Sequence, residues 1–412
     1  MAIPFFSIDL NTKDIFNLIK NITLPFSKKN SELKIQNILE KRFPKKNVIL
    51  LPSARLGFYL TLEKYFKEGD EIIFSAMSFP LYIKIANELK LKVRLVDVDK
   101  ENLNIDIKKL ELNITNNTKG IVITHLFGYP CEVNKIKDLA KLNNIVLIED
   151  CAQSFGSYKE GVETGNFGNV GIFSCSLVKV PTTLGGGILI TSDDALKNYV
   201  LSWKEKNLLK SNKKDFFLIM KNLISVANSI PFLYSILSSQ ILFFLNKFNP
   251  RTYRKIVYSG MGLKNERFNP QERNELKKYQ LEFGISQLKN FDEMKKKRIE
   301  NSFYLKEQLS GLKNVSFLDY ENDIDWNHQY FVIKINFDYK KFNKIIFENG
   351  VHAMEENVWN CLDYGYLIIN EKDNFDITKD NNEKILRIQN SSYLKKKHLD
   401  KIIKVIKKSI ND

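Results

Sequence analysis

Between Val48 and Asp194 short apolar runs alternate with longer stretches whose apolar residues recur at helical spacing. Val48–Leu51, Glu71–Ser75, Val93–Asp97, Gly120–Thr124, Ile145–Glu149 and Gly171–Ser174 each read as a largely buried strand, because consecutive apolar residues leave no face for water. A helix is expected after Pro52-Ser53-Ala54-Arg55, running through Tyr59 and Leu62 to Tyr65. The alternation predicts an α/β large domain with a mostly parallel sheet covered by helices on both faces. Gly187–Thr191 is expected to return as an edge or antiparallel strand. Function in such sheets gathers at the carboxyl ends of strands, where Ser53, Ser75, His125, Asp150 and Ser174 fall.

The pattern changes over 210–258. Phe216-Phe-Leu-Ile-Met220 leads into an uncharged segment, Asn222 to Asn246, interrupted by Asn228, Ser235, Ser238 and Ser239 and broken at Pro231. About 20 unbroken apolar residues are needed to span a bilayer, so two amphipathic helices joined at Pro231 fit better. The plainer reading packs this insertion on the protein itself or on a dimer mate. The sharper one docks residues 216–248 on a membrane surface, with Lys204, Lys206, Lys210, Lys213, Lys214 and Lys221 close by. After Gly262, charged helical text (Glu272 to Leu309), strands at Val315 and at Tyr330–Asn336, and a Lys-rich last helix (Lys395 to Ile410) predict a small α+β domain. The expected division is 1–209, 210–258 and 259–412.

The net charge of +15 is spread along all 412 residues. Clusters such as Lys295–Arg298 and Lys404–Lys408 fall on expected polar helix faces, and no nucleic-acid module accompanies them, so no nucleic-acid partner is expected. A positive field suits a diphosphate-bearing substrate or an anionic membrane instead. Cys131, Cys151, Cys175 and Cys361 show no paired spacing, and no signal peptide is recognisable. Both point to a reducing cytoplasm without disulfides. His125, His328, His352 and His398 are too scattered for a metal site.

Chemistry concentrates around Lys179. The apolar run Asn144-Ile-Val-Leu-Ile ends in Glu149-Asp150-Cys-Ala-Gln153, and Ser174 stands five residues before Lys179, which precedes Val-Pro-Thr-Thr-Leu-Gly-Gly-Gly187. An acid delivered by a buried strand, then a hydroxyl and an amine beside a Gly-rich turn, is what a pyridoxal 5'-phosphate pocket requires. The amine condenses with the aldehyde, the acid holds the ring nitrogen protonated, and the hydroxyl anchors phosphate. The turn Ala54-Arg55-Leu56, opening a helix, offers N–H groups and a favourable dipole to the same phosphate.

These residues resemble the DegT/DnrJ/EryC1/StrS aminotransferases, fold-type I enzymes that use pyridoxal phosphate to aminate keto-sugars carried on nucleotides. Ser53-Ala-Arg55 stands where that family has Ser-Gly-Thr, Ser78-Phe79 where it has Thr-Phe, and His125-Leu-Phe-Gly128 where it has His-x-x-Gly. Phe283-Gly-Ile-Ser-Gln287 is similar to a helix near the start of its small domain. The resemblance runs from about residue 30 to 310, with none in 210–258. It implies that Lys179 is the catalytic amine and proton carrier, that Asp150 pairs with the ring nitrogen, that Gln153 meets the ring hydroxyl, and that Phe79 stacks on the ring. Ser174, Ala54 and Arg55 hold phosphate, with Arg55 replacing the lost Thr hydroxyl. His125 either lines the pocket or satisfies a strand-end carbonyl. The resemblance also implies a homodimer in which a partner Asn completes the phosphate site; Asn274 is the nearest candidate.

The function expected is transfer of an amino group from glutamate or glutamine to a keto-sugar, nucleotide-linked, in polysaccharide or secondary-metabolite synthesis. A retained Lys favours this over the family's dehydratase branch, where His replaces it. Two other readings stay open: a lipid-linked or other non-nucleotide ketone as acceptor, and a non-catalytic cofactor-binding regulator. The expected location is the cytoplasm, or the inner face of the membrane if the insertion docks there.

Overall fold

The computed structural model describes residues 1–5, 8–10, 12–23, 28–209, 215–257, 268–270, 274–318, 324–355, 360–364, 374–381 and 384–411. Nine strands form first: β1 (Asn47–Leu51), β2 (Glu71–Ser75), β3 (Lys92–Val96), β4 (Thr118–Thr124), β5 (Val146–Asp150), the short hairpin β6 (Tyr158–Lys159) and β7 (Val162–Glu163), β8 (Val170–Ser174) and β9 (Gly187–Thr191). Seven of them make one sheet in the order β1-β9-β8-β5-β4-β2-β3. β8, β5, β4, β2 and β3 run parallel, as their unbroken apolar text requires. β9 is antiparallel to both neighbours, yet it is not an edge: it lies between β1 and β8, and β1 takes the rim.

Helices Ala54–Tyr65 and Pro80–Glu88 cover one face, burying Leu56, Phe58, Leu60, Leu81 and Ile85 against Ile72, Phe74, Val122, Ile148 and Leu189. Both starts are written in the sequence. The Ser53 hydroxyl accepts from the Leu56 amide at 3.2 Å, and Pro80 opens the second helix, where a missing N–H costs nothing.

The C-terminal sheet comprises β10 (Val315–Phe317), β12 (Tyr330–Ile335), β13 (Met354–Glu355) and β14 (Ile385–Gln389) in the order β10-β12-β14-β13; β11 (Ile324–Asp325) instead pairs with β6. Its core joins Phe331, Ile333, Leu386 and Ile388 to helices Phe291–Leu309, Tyr339–Glu348 and Lys396–Asn411. The chain's beginning is built into this unit. Ile3 pairs with Val351, and the Asp9 carboxylate binds the Arg298 guanidinium, the Ser391 hydroxyl and the Ser392 amide.

That pair corrects one expectation. Lys295 and Arg298 were expected on a solvated helix face, but both are buried: Lys295 meets Asp325 and the Gly156 carbonyl at 2.6 and 2.7 Å, and Arg298 meets Asp9. Their partners come from distant parts of the chain, which helical spacing alone does not show.

Residues 215–257 form four helices, Asp215–Ser229, Pro231–Leu237, Ser239–Phe248 and Pro250–Val257. The break at Pro231 is as expected, with a 110° bend, and a second break falls at Ser238. No single helix among the described residues is long and apolar enough to cross a membrane. Lys210, Lys213 and Lys214 lie outside the described residues.

Candidate active site

The carboxyl ends of β4, β5 and β8 meet the start of helix Ala54–Tyr65 at one edge of the large sheet. Asp150, the last residue of β5, pairs with Thr124 on β4 and Ile172 on β8. Its carboxylate accepts from the Ala152 amide at 3.0 Å and from the Thr124 hydroxyl at 3.4 Å. The Thr124 and Ser78 hydroxyls bond at 2.8 Å, which ties the acid to the segment carrying Phe79. Burial pushes the Asp150 carboxyl above its usual range, opposed by the Ala152 amide and by the charge of Lys179. An acid poised in this way gains most from a cation placed beside it, such as a protonated ring nitrogen.

His125 satisfies a strand-end carbonyl through its backbone, whose amide donates to the Asp150 carbonyl at 3.2 Å, while its ring is engaged elsewhere. Fully buried, it accepts from the Cys131 amide at Nδ1 (3.1 Å), so its proton sits on Nε2 and is donated to Glu149 at 3.1 Å. Glu149 also takes the Gly165, Phe167 and Gly168 amides. The His125–Glu149 pair therefore braces the strand ends beneath the site.

Lys179 follows β8 in a tightly wound turn, where the Cys175 carbonyl accepts from the Thr182 hydroxyl and from the Thr183 and Gly185 amides at 3.0–3.2 Å. The side chain is only 8% exposed. Burial first, then the charge of Arg387, lower its ammonium pKa to about 7, against the pull of Asp150. Half of such amines are neutral near pH 7, the form that attacks a carbonyl.

The glycines carry the chain against the helix start. Gly185 and Gly186 sit at φ of 128° and 127°, which disfavours side chains. Gly186 pairs with Ser53 and Gly187 with Ser174, and a Cβ on Gly187 would stand 2.3 Å from the Ala54 nitrogen. Ser174, Ala54 and Arg55 are thus brought together around first-turn N–H groups, a ready anion cradle.

Phe79 is half-buried, with its ring edge-on to Tyr82 at 5.3 Å, and Tyr82 in turn stacks on Phe58 at 4.0 Å. Gln153 is buried. Its side-chain oxygen accepts from the Phe127 amide at 3.2 Å, so any ligand contact falls to Nε2. Asn274 pairs through its backbone with Leu209.

The C-terminal sheet adds groups that sequence reasoning missed. Leu386 and Ile388 of β14 face the small core, so Arg387 and Gln389 share the opposite face, toward Lys179. The Arg387 guanidinium lies 4.5 Å over the Tyr330 ring. Gln329 donates to the Val178 carbonyl at 2.6 Å and to the Tyr330 hydroxyl at 2.8 Å. Gln389 is buried with neither side-chain polar atom bonded, and the Gln329 side-chain oxygen is likewise unbonded, among the described residues. Such atoms normally find a partner, so this face is built to receive polar groups. A buried amine of low pKa, a buried acid, a half-buried ring and an anion cradle together suit a flat cationic ring bearing an aldehyde and a phosphate.

Comparison with known proteins agrees. The family model for the DegT/DnrJ/EryC1/StrS aminotransferase family matches residues 33–223. The chain is 38% identical over 144 residues to a GDP-perosamine synthase of Escherichia coli O157:H7, covering 34% of this chain and 39% of that protein. It is 35% identical over 145 residues to a GDP-4-keto-6-deoxy-D-mannose 3-dehydratase of Yersinia pseudotuberculosis, covering 35% and 37%. The aligned stretch thus spans under two fifths of these curated relatives. The fold extends further: the aminotransferase TlmJ of Streptoalloteichus hindustanus superposes with a TM-score of 0.76 over 99% of both chains at 15% identity, and PseC of Helicobacter pylori with 0.74 over 100% of both at 17%. Residues 33–223, which carry Asp150, Ser174 and Lys179, are the part of this chain that is similar to the DegT/DnrJ/EryC1/StrS aminotransferase family.

Proposed function

We propose that this protein is a pyridoxal phosphate-dependent aminotransferase that moves an amino group from glutamate, or glutamine, to a nucleotide-linked keto-sugar. The observation that carries this reading is the buried Lys179 amine, with a pKa of about 7, between Asp150 and the glycine cradle. The bound cofactor supplies an aldehyde that exchanges amines and an electron-poor ring that accepts electrons from a substrate C–H bond. Asp150 holds the ring nitrogen charged. Ser174 and the Ala54–Arg55 amides seat the phosphate, and Phe79 and Tyr82 limit the ring's tilt. The Lys179 Nζ would carry a proton between the substrate carbon and the cofactor, work suited to a base whose pKa lies near the working pH. Arg387 and Gln389 offer a cation and an amide to the donor's carboxylate.

Relatives of this chain include both a GDP-perosamine synthase and a 3-dehydratase. The lysine at 179 favours amination over dehydration. A homodimer belongs to the same reading, and light scattering checks it. Purified protein loaded with cofactor should be yellow and should bleach when L-glutamate is added. A panel of nucleotide-linked keto-sugars should then restore the colour, and a preparation indifferent to every amino donor contradicts the reading.

A further inference from the structure

The four insertion helices have two apolar faces where a soluble protein needs one. Their inner face is clamped to the body: Val226 packs with Ile8, Leu10, Leu18, Tyr279 and Phe283, and Tyr234 packs with Phe5, Tyr253 and Phe347. Asn222 adds a hydrogen bond of 3.0 Å to the Tyr279 hydroxyl. Packing on the protein, the plainer expectation, thus accounts for one side of the segment and leaves the other without a covering element among the described residues. Phe217, Ile224, Ile236, Ile241, Phe244 and Phe248 all point outward, with Phe217 74% and Phe248 71% exposed. Phe217 and Ile224 recur at helical spacing on one helix and Ile241, Phe244 and Phe248 on another, so each of these helices carries an exposed apolar stripe, whereas single exposed apolar residues need no explanation.

We propose that this outer face seats the protein on an anionic membrane surface. The helices are 7 to 15 residues long and bent by 110° at Pro231, too short and too broken to span a bilayer, so the segment lies flat at the interface. From Phe216 to Asn249 there is no Asp or Glu, and the two charges, Lys221 and Lys247, are both exposed. The Lys247 ammonium rides 5.4 Å from the Phe248 ring, which places a cation at the rim of the apolar face. Further cations bracket the segment in the sequence, Lys210, Lys213 and Lys214 before it and Arg251, Arg254 and Lys255 after it, and the whole chain carries +15. Charge complementarity selects the occupant. A second copy docking by the same face would bring these cations against their own kind, whereas phosphatidylserine or phosphatidylglycerol headgroups neutralise them while the acyl boundary takes the phenylalanines.

Vesicle co-sedimentation tests this without reference to turnover, so its outcome is independent of the chemistry assigned to Lys179. The probe is phosphatidylcholine vesicles with and without about 30% phosphatidylserine, a fraction that creates a strong negative surface potential. The full-length protein should pellet with the anionic vesicles, stay in solution without vesicles, and be released as salt is raised. Phe217→Ser/Phe244→Ser/Phe248→Ser, all at exposed positions, should weaken binding by about 100-fold or more and leave the thermal midpoint unchanged. Lys221→Glu/Lys247→Glu should abolish the preference for anionic lipid. A wild type that stays in the supernatant overturns the proposal, as does a triple variant that binds equally well. An oligomer that the triple variant dissociates, without vesicle binding by either form, also overturns it and assigns the face to a second copy.

Discussion

Burying an amine costs its proton, and that cost makes Lys179 both reactive and destabilising. Its folded pKa is near 7 and its unfolded value is 10.5, so between these limits the unfolded chain holds the extra proton. The penalty is therefore full below pH 7 and fades as the pH rises toward 10.5. Lys179→Met should abolish turnover, yet stabilise the cofactor-free chain at pH 7 by a few kcal/mol, since each tenfold change in a protonation equilibrium is worth about 1.4 kcal/mol. Urea titrations at pH 7 and pH 9.5 check this, because the gap between variant and wild type must narrow at the higher pH. Arg387→Met removes a charge that lowers Lys179, so the amine should titrate at higher pH. The variant's KM for L-glutamate should also rise by about 100-fold, the usual scale for losing a buried charge partner, and half-reaction kinetics across pH read both effects. Lys179 and Asp150 were legible in the sequence because local text surrounds them: an apolar strand ending in an acid, and a glycine run after the lysine. Arg387 was not. Its approach to Lys179 is created by β14, and its only trace is one charged residue inside Ile-Leu-Arg-Ile-Gln.

At the scale of elements, the cradle depends on three glycines that let β9 touch a helix start. Gly187→Ala places a methyl group 2.3 Å from the Ala54 nitrogen, a backbone atom that cannot swing aside. It should destabilise the fold by about 1–3 kcal/mol and weaken cofactor retention by at least about tenfold, read by equilibrium dialysis against the wild type. The parallel strands were legible from their apolar runs, and the helix at Ala54 from the run through Tyr59 and Leu62 that follows Pro52-Ser53-Ala54-Arg55. The place of β9 between β1 and β8 was not, since an antiparallel strand announces its direction only through its partners. In the insertion Pro231 announced its own break, whereas the break at Ser238 has no proline to announce it.

Across the whole molecule, the first ten residues tie the chain's two ends together. Asp9 is buried against Arg298 and also holds Ser391 and Ser392. Asp9→Ala should cost about 3–5 kcal/mol, because it leaves a buried guanidinium without its counter-charge; denaturant titration of the cofactor-free chain measures it. Nothing local in the sequence foretold this pair, and Arg298 reads there as one more cation on a helix. The large sheet was foreseen because its strands follow one another, while the sheet that carries Arg387 to the site is assembled from segments scattered over 315–389. Both units meet at Lys179, and the most direct measurement addresses that nitrogen. Protein loaded with pyridoxal phosphate, reduced with borohydride and digested, should yield one pyridoxyl-labelled peptide, with the label on Lys179. A label on another lysine, or no label at all, contradicts the account.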